Sequence, residues 1–131
     1  MIGLDTNVLA RYLVQDDPVQ SAAATRLVEQ ECSNDSPGFV SHIVLCELVW
    51  VLESCYHQRR QEIRAVLERM LQVSQLEMEA AQLVWRALRD YGASRADFSD
   101  HLLARVNQER GCVETVTFDR KAGESAGFRL L

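Results

Sequence analysis

The chain is poor in the residues that mark several large functional classes. Among its 131 residues there is one lysine, Lys121, and the formal net charge is −5. It therefore lacks the basic excess with which nucleic-acid-coating proteins neutralise phosphates. There are two prolines, Pro18 and Pro37, and six glycines, with no glycine-rich loop of the kind that cradles phosphates. The four cysteines, Cys32, Cys46, Cys55 and Cys112, form no CxxC pair and do not combine with His42, His57 or His101 at zinc-finger spacings. Buried, reduced thiols are expected instead. No apolar run reaches the roughly 18 residues that span a bilayer. Met1-Ile2-Gly3-Leu4 is too short for a signal peptide and Asp5 follows at once. A cytoplasmic protein with no membrane partner is expected.

What is present is an ordinary globular composition, 47% hydrophobic and 25% charged, in a length that suits one domain over residues 1–131. Met1–Leu4 reads as a short buried strand ending on Asp5. Asn7–Val14 reads as a helix that Asp5 or Thr6 is placed to cap, and Asp16-Asp17-Pro18 breaks it. A second helix is expected from Val19 to about Cys32, and Ser33–Gly38 is a dense turn signal. Phe39-Val40 is a short strand. The helix expected over His42–Tyr56, capped by Ser41, is apolar almost all round and is expected to be buried. Further helices are expected over Arg60–Leu71, Glu77–Tyr91 and Ala96–Arg110, with a weak strand at Val73–Leu76. Val113–Phe118 is a β-branched strand ending at Asp119, and Phe128–Leu131 an edge strand. Strands alternating with helices predict an α/β fold, a short and mainly parallel sheet flanked by helices.

Against this frame, five of the 19 acidic residues stand out. Asp5 and Asp119 each follow a convincing strand, the side of an open parallel sheet where ligands bind. Either could equally cap the next helix. Glu47 lies within Val44-Leu45-Cys46-Glu47-Leu48-Val49-Trp50. An ionised carboxylate in apolar surroundings costs several kcal/mol unless it is paired or binds metal. A salt bridge to Arg59 or Arg60, or a helix edge open to water, would serve as well. Asp97 and Asp100, three apart, share one face of the first turn of a helix, where the helix dipole favours negative charge; Asp97 reads as a cap or first-turn residue. Oxygen ligands without paired Cys or His suit Mg²⁺, or Mn²⁺. Such a site can orient and deprotonate a water for attack on a phosphodiester. The acidic total is compatible with this, since a bound cation reverses the local sign. A phosphoacceptor signalling domain shares the acidic site but wants adjacent acids after the first strand and a late Lys-Pro, and neither is present.

Four segments in order carry a resemblance over essentially the whole chain. Ile2-Gly3-Leu4-Asp5-Thr6-Asn7-Val8-Leu9, Ser41-His42-Ile43-Val44-Leu45-Cys46-Glu47-Leu48, Ala96-Asp97-Phe98-Ser99-Asp100-His101-Leu102-Leu103-Ala104 and Thr115-Val116-Thr117-Phe118-Asp119-Arg120-Lys121 resemble the four motifs of PIN-domain proteins, and of the VapC-type toxins in particular. Cys46 stands where alanine is more usual. The resemblance implies a single PIN-like domain and a Mg²⁺-dependent endoribonuclease with Asp5, Glu47, Asp100 and Asp119 as its acidic quartet and Asp97 as an auxiliary acid. It implies supporting hydrogen bonds from Thr6, Asn7 and Thr117, though each is as readily a helix cap. It also implies an RNA substrate, a homodimer and a cognate antitoxin. Arg95, Arg120 and Lys121 are candidates for RNA contact by sequence proximity. His42 and His101 flank motif residues and read as solvent-facing or core histidines, and Trp50 and Trp85 as core or dimer packing.

Overall fold

The computed structural model describes residues 1–131, which form two compact units, Met1–Ala81 and Gln82–Leu131. The first unit is a three-stranded parallel sheet with helices in its connections. Strand β1 (Ile2–Gly3) leads into α1 (Thr6–Val14) and α2 (Pro18–Arg26), which continues through a π-helical turn at Leu27–Glu31. Then come β2 (Gly38–Val40), α3 (His42–Ser54), α4 (Arg60–Gln72) and β3 (Leu76–Met78). The strand order is β1-β2-β3, with Ile2 opposite Gly38 and Gly38 opposite Leu76. Gly38 lies on the middle strand, where a Cβ would stand 2.7 Å from Leu4 Cδ1 and 3.2 Å from Cys32 Sγ; its lack of a side chain lets β2 lie against both.

Local chemistry sets the helix starts. The Asp17 carboxylate accepts from the Val19 and Gln20 amides, with Pro18 as the first helical residue. Ser41 Oγ accepts from the Val44 amide. At α4, Glu62 reaches back to the Arg59 amide and guanidinium. Arg11 and Tyr56 both donate to Asp16, at 3.0 and 2.7 Å, so the turn after α1 is tied to the segment that follows α3.

The second unit holds α5 (Ala81–Ala93, whose first residue closes the first unit), α6 (Phe98–Glu109), β4 (Thr115–Thr117), α7 (Arg120–Gly123) and β5 (Phe128–Leu130). Strands β4 and β5 are parallel, with Thr115 opposite Phe128. Tyr91 and Phe98 meet edge to face, centroids 5.8 Å apart. Arg105 donates both Nε and Nη2 to Asp90, at 2.7 and 2.9 Å, joining α6 to α5. Asn107 donates to Thr115 Oγ1 at 2.9 Å, joining α6 to β4.

The α/β character and the parallel pairing match the sequence expectation, and several details differ. Strand β1 is not buried: it is an edge strand paired only with β2, and Met1 and Ile2 are exposed. Strand β3 lies at Leu76–Met78, so the fifth helix begins at Ala81, four residues later than periodicity suggested. Leu76 and Met78 are buried with Glu77 exposed between them, a period of two that the helical reading absorbed. The short helix α7 was not anticipated. Of the cysteines only Cys32 is buried; Cys55 and Cys112 are exposed, and all four are free. No helix is long and apolar enough to cross a membrane.

Helix α3 is the largest departure. It buries Leu45, Leu48, Val49 and Leu52, yet Ile43 is 73% exposed and Trp50 63% exposed. It has one core face and one open apolar face, rather than core all round. Leu48→Ala should therefore cost about 2–5 kcal/mol, whereas Ile43→Ala on the same helix should change stability by less than about 0.5 kcal/mol. Urea denaturation midpoints of the two variants check the orientation of the helix; equal losses would reverse it.

Candidate active site

The second unit gathers acids from two elements. Asp97 occupies the N-cap position of α6 and Asp100 its first turn; Asp119 follows β4 and occupies the N-cap position of α7. All three line one cavity of about 260 Å³ together with Arg120 and Lys121. The first unit has two larger clefts, one along α1 and α2 beside Asn7, Arg11 and Gln20, the other beside Tyr12, Glu29 and Arg69, and neither contains an acid cluster.

The three carboxylates are not equivalent. Asp119 Oδ1 accepts from the Ala122 amide at 3.0 Å, while its own amide donates to Thr117 Oγ1 at 2.9 Å. The sequence left Asp119 open as a cap or a site acid. It is a cap through one oxygen, and the other makes no protein hydrogen bond. By accepting from the Asp119 amide, the Thr117 hydroxyl fixes the backbone that presents this carboxylate. Asp97 has the extended backbone of an N-cap, but its side chain makes no capping hydrogen bond. Its carbonyl accepts from the amides of Asp100 and His101. Asp100 is half-buried, and its carboxyl is pushed above the usual aspartate range, first by burial and then by the negative charge of Asp97, with a smaller contribution from Asp119.

The first unit carries the other two acids of the predicted quartet. Asp5 is exposed at the end of the loop from β1, in the N-cap position of α1 with no capping hydrogen bond from its side chain. Glu47 is exposed on α3. The expectation of apolar surroundings for Glu47 is corrected here. It follows Ile43 by four residues and precedes Trp50 by three, so it lies on the open face of the helix and not the core face. Arg59, one of its suggested partners, pairs with Glu62 instead. Thr6 is 5% exposed and its hydroxyl has no hydrogen-bond partner; an orphaned buried hydroxyl beside Asp5 is a donor waiting for an acceptor. Asn7 is exposed on α1, and Arg95 is exposed without lining the acid cavity. Trp50 and Trp85 are surface residues rather than core. His42 is half-buried and binds Glu79, and His101 is a core histidine, 3% exposed.

The donor chemistry fits a hard divalent cation, since the cavity presents carboxylate oxygens and no thiol or imidazole ligand. In neither unit do three or more His, Cys, Asp or Glu side chains stand close enough to hold a metal ion by themselves. One residue that the sequence reading passed over is Ser94, whose hydroxyl is bonded to His101; nothing in its sequence context marks it.

The PIN domain model matches residues 2–127, and the chain belongs to the PIN domain family. It is also 28% identical over 129 residues to the VapC ribonuclease of Aquifex aeolicus (strain VF5), an alignment that covers 98% of this chain and 93% of that protein.

The raised proton affinity of Asp100 has a measurable consequence. The folded protein binds this proton more tightly than the unfolded chain, so the ionised carboxylate destabilises the fold. The penalty is absent below pH 3.8, the ordinary aspartate value. It develops as pH rises through the higher folded-state value and is complete above it. Asp100→Asn should raise the Tm near neutral pH, with the gain shrinking towards zero as pH falls to about 4. Thermal melts across that range check this, and a gain independent of pH would contradict it.

Proposed function

We propose that this protein is a Mg²⁺-dependent endoribonuclease, with Mn²⁺ as a substitute, and the toxin of a type II toxin–antitoxin pair. The observation that carries the reading is the single cavity that joins Asp97, Asp100 and Asp119 to Arg120 and Lys121 in a chain that belongs to the PIN family. Acids for a cation and bases for phosphate stand at one rim. The likeness to a VapC ribonuclease supports RNA as substrate and a cognate antitoxin as partner. We further assign a homodimer and a cytoplasmic location on family likeness.

Roles follow from each side chain's state. Asp119, with one oxygen engaged by the Ala122 amide and the other open, and Asp5, beside the orphaned Thr6 hydroxyl, are the proposed chief metal ligands. Asp100, which lines the same cavity as Asp119, completes the site directly or through water and positions the attacking water. Glu47 and Asp97 complete the acid set directly or through water. When bound, the cation supplies an activated water and stabilises charge building on the phosphate. Water oxygen would attack phosphorus and lose its proton to solvent as the bond to the leaving oxygen breaks in line and that oxygen takes up a proton from solvent, with Arg120 and Lys121 holding the phosphate through fork and point charge. Arg95 and Asn7 are assigned supporting contacts with the RNA and the site.

Other readings are a PIN nuclease that works without an antitoxin and an inactive PIN-like interaction module; the retained acids favour activity over the latter. Asp119→Asn and Asp5→Asn should each lower Mg²⁺-dependent RNA cleavage by at least about 100-fold with unchanged circular dichroism. Sequencing of RNA ends after brief expression would show the loss directly. Wild-type cleavage by Asp119→Asn would remove the proposed site, and wild-type cleavage by Asp5→Asn would remove Asp5 from it.

A further inference from the structure

Asp97 stands where a helix cap belongs, yet its carboxylate does no capping. A residue in that position normally satisfies a first-turn amide with its side chain, and losing that bond leaves the preceding loop less firmly held. Here the loop is held from another direction. Ser94 Oγ accepts from the Ala96 amide at 3.2 Å and shares a 2.5 Å hydrogen bond with His101 Nε2. His101 lies one turn into α6, its amide donating to the Asp97 carbonyl at 3.3 Å. The ring is 3% exposed, and Ala96 and Phe98, on either side of Asp97, are 0% and 1% exposed. A closed circuit therefore runs from Ser94 through Ala96 and Asp97 to His101 and back to Ser94. Asp97 lies on this circuit, the Asp100 amide donates to the Asp97 carbonyl at 3.1 Å, and both carboxylates line the cavity.

We propose that Ser94 and His101 are positioning residues that hold the entry to α6 in place of a side-chain cap, leaving the Asp97 carboxylate available to the acid cavity beside Asp100. The inference rests on the nuclease reading in that it concerns the same carboxylates. Neither residue touches the reacting atoms. Their effect is on the geometry of the two acids, as with the outer hydrogen bonds that orient metal-binding side chains generally. Serine suits the task because its one oxygen receives the Ala96 amide and meets the imidazole together.

The test compares Ser94→Ala with Ser94→Thr, which keeps the hydroxyl, and with Arg105→Met, which breaks the Asp90 pair elsewhere on α6. Two readouts are taken on the full chain: amide hydrogen exchange at Asp100 and His101, and Mn²⁺ affinity from paramagnetic resonance titration without RNA. Ser94→Ala should speed exchange at both amides and weaken Mn²⁺ binding about tenfold, and Ser94→Thr should restore both. Arg105→Met should lower the Tm without weakening Mn²⁺ binding. Unchanged exchange in Ser94→Ala would overturn the proposal, as would equal losses in Ser94→Ala and Ser94→Thr, or Mn²⁺ affinity that simply follows Tm across all three variants. A wild-type protein that binds no Mn²⁺ would sink the nuclease reading, while the exchange measurement would still decide the clamp.

Discussion

Like charges brought together are the constraint on which the second unit depends. Asp97, Asp100 and Asp119 face one small cavity, and the half-buried Asp100 carboxyl is pushed above the usual aspartate range first by burial and then by the charge of Asp97. An arrangement that is unfavourable in isolation persists only where its surroundings fix it. The fixing is visible around α6. Asn107 ties it to β4, the Tyr91–Phe98 contact lies at its start, and the Ser94–His101 bond holds its entry. Arg120 and Lys121 line the same cavity, and a divalent cation bound there would offset the repulsion.

Capping accounts for much of how the acids differ. Asp17 and Ser41 cap conventionally and carry no site role. Asp119 caps with one oxygen and leaves one open. Asp5 and Asp97 hold cap positions without using their side chains. Sequence alone cannot separate these cases, because Ser, Thr, Asp and Asn mark helix starts whatever else they do. The orphaned Thr6 hydroxyl and the Ser94–His101 bond are likewise invisible to spacing, since each depends on which side chains meet after folding.

The strands and helices were legible where one period dominated. Helix α4 and the β-branched segment around Thr115–Thr117 were found within two or three residues of their ends. The weak strand expected at Val73–Leu76 lies at Leu76–Met78, because Glu77 and Met78 run directly towards a helix and read as its first turn. For α3 the error was one of inference. Apolar residues on every side suggested full burial, but Ile43 and Trp50 are solvent-facing, and Glu47 lies with them. The suspicion that attached to Glu47 as a buried charge therefore no longer holds on physical grounds, and its place in the proposed acid set comes from the motif around it. Asp97, Asp100 and Asp119 moved the other way: a strand end pointed to Asp119, motif resemblance carried Asp100 and Asp97 read as a cap, and the fold places all three at one cavity.

The central claim is that this cavity receives a divalent cation. Anomalous diffraction from crystals soaked in Mn²⁺ tests it most directly. The account predicts a manganese peak in the cavity, within coordination distance of an oxygen of Asp100 or Asp119. Full occupancy at another surface site with none in the cavity would contradict it.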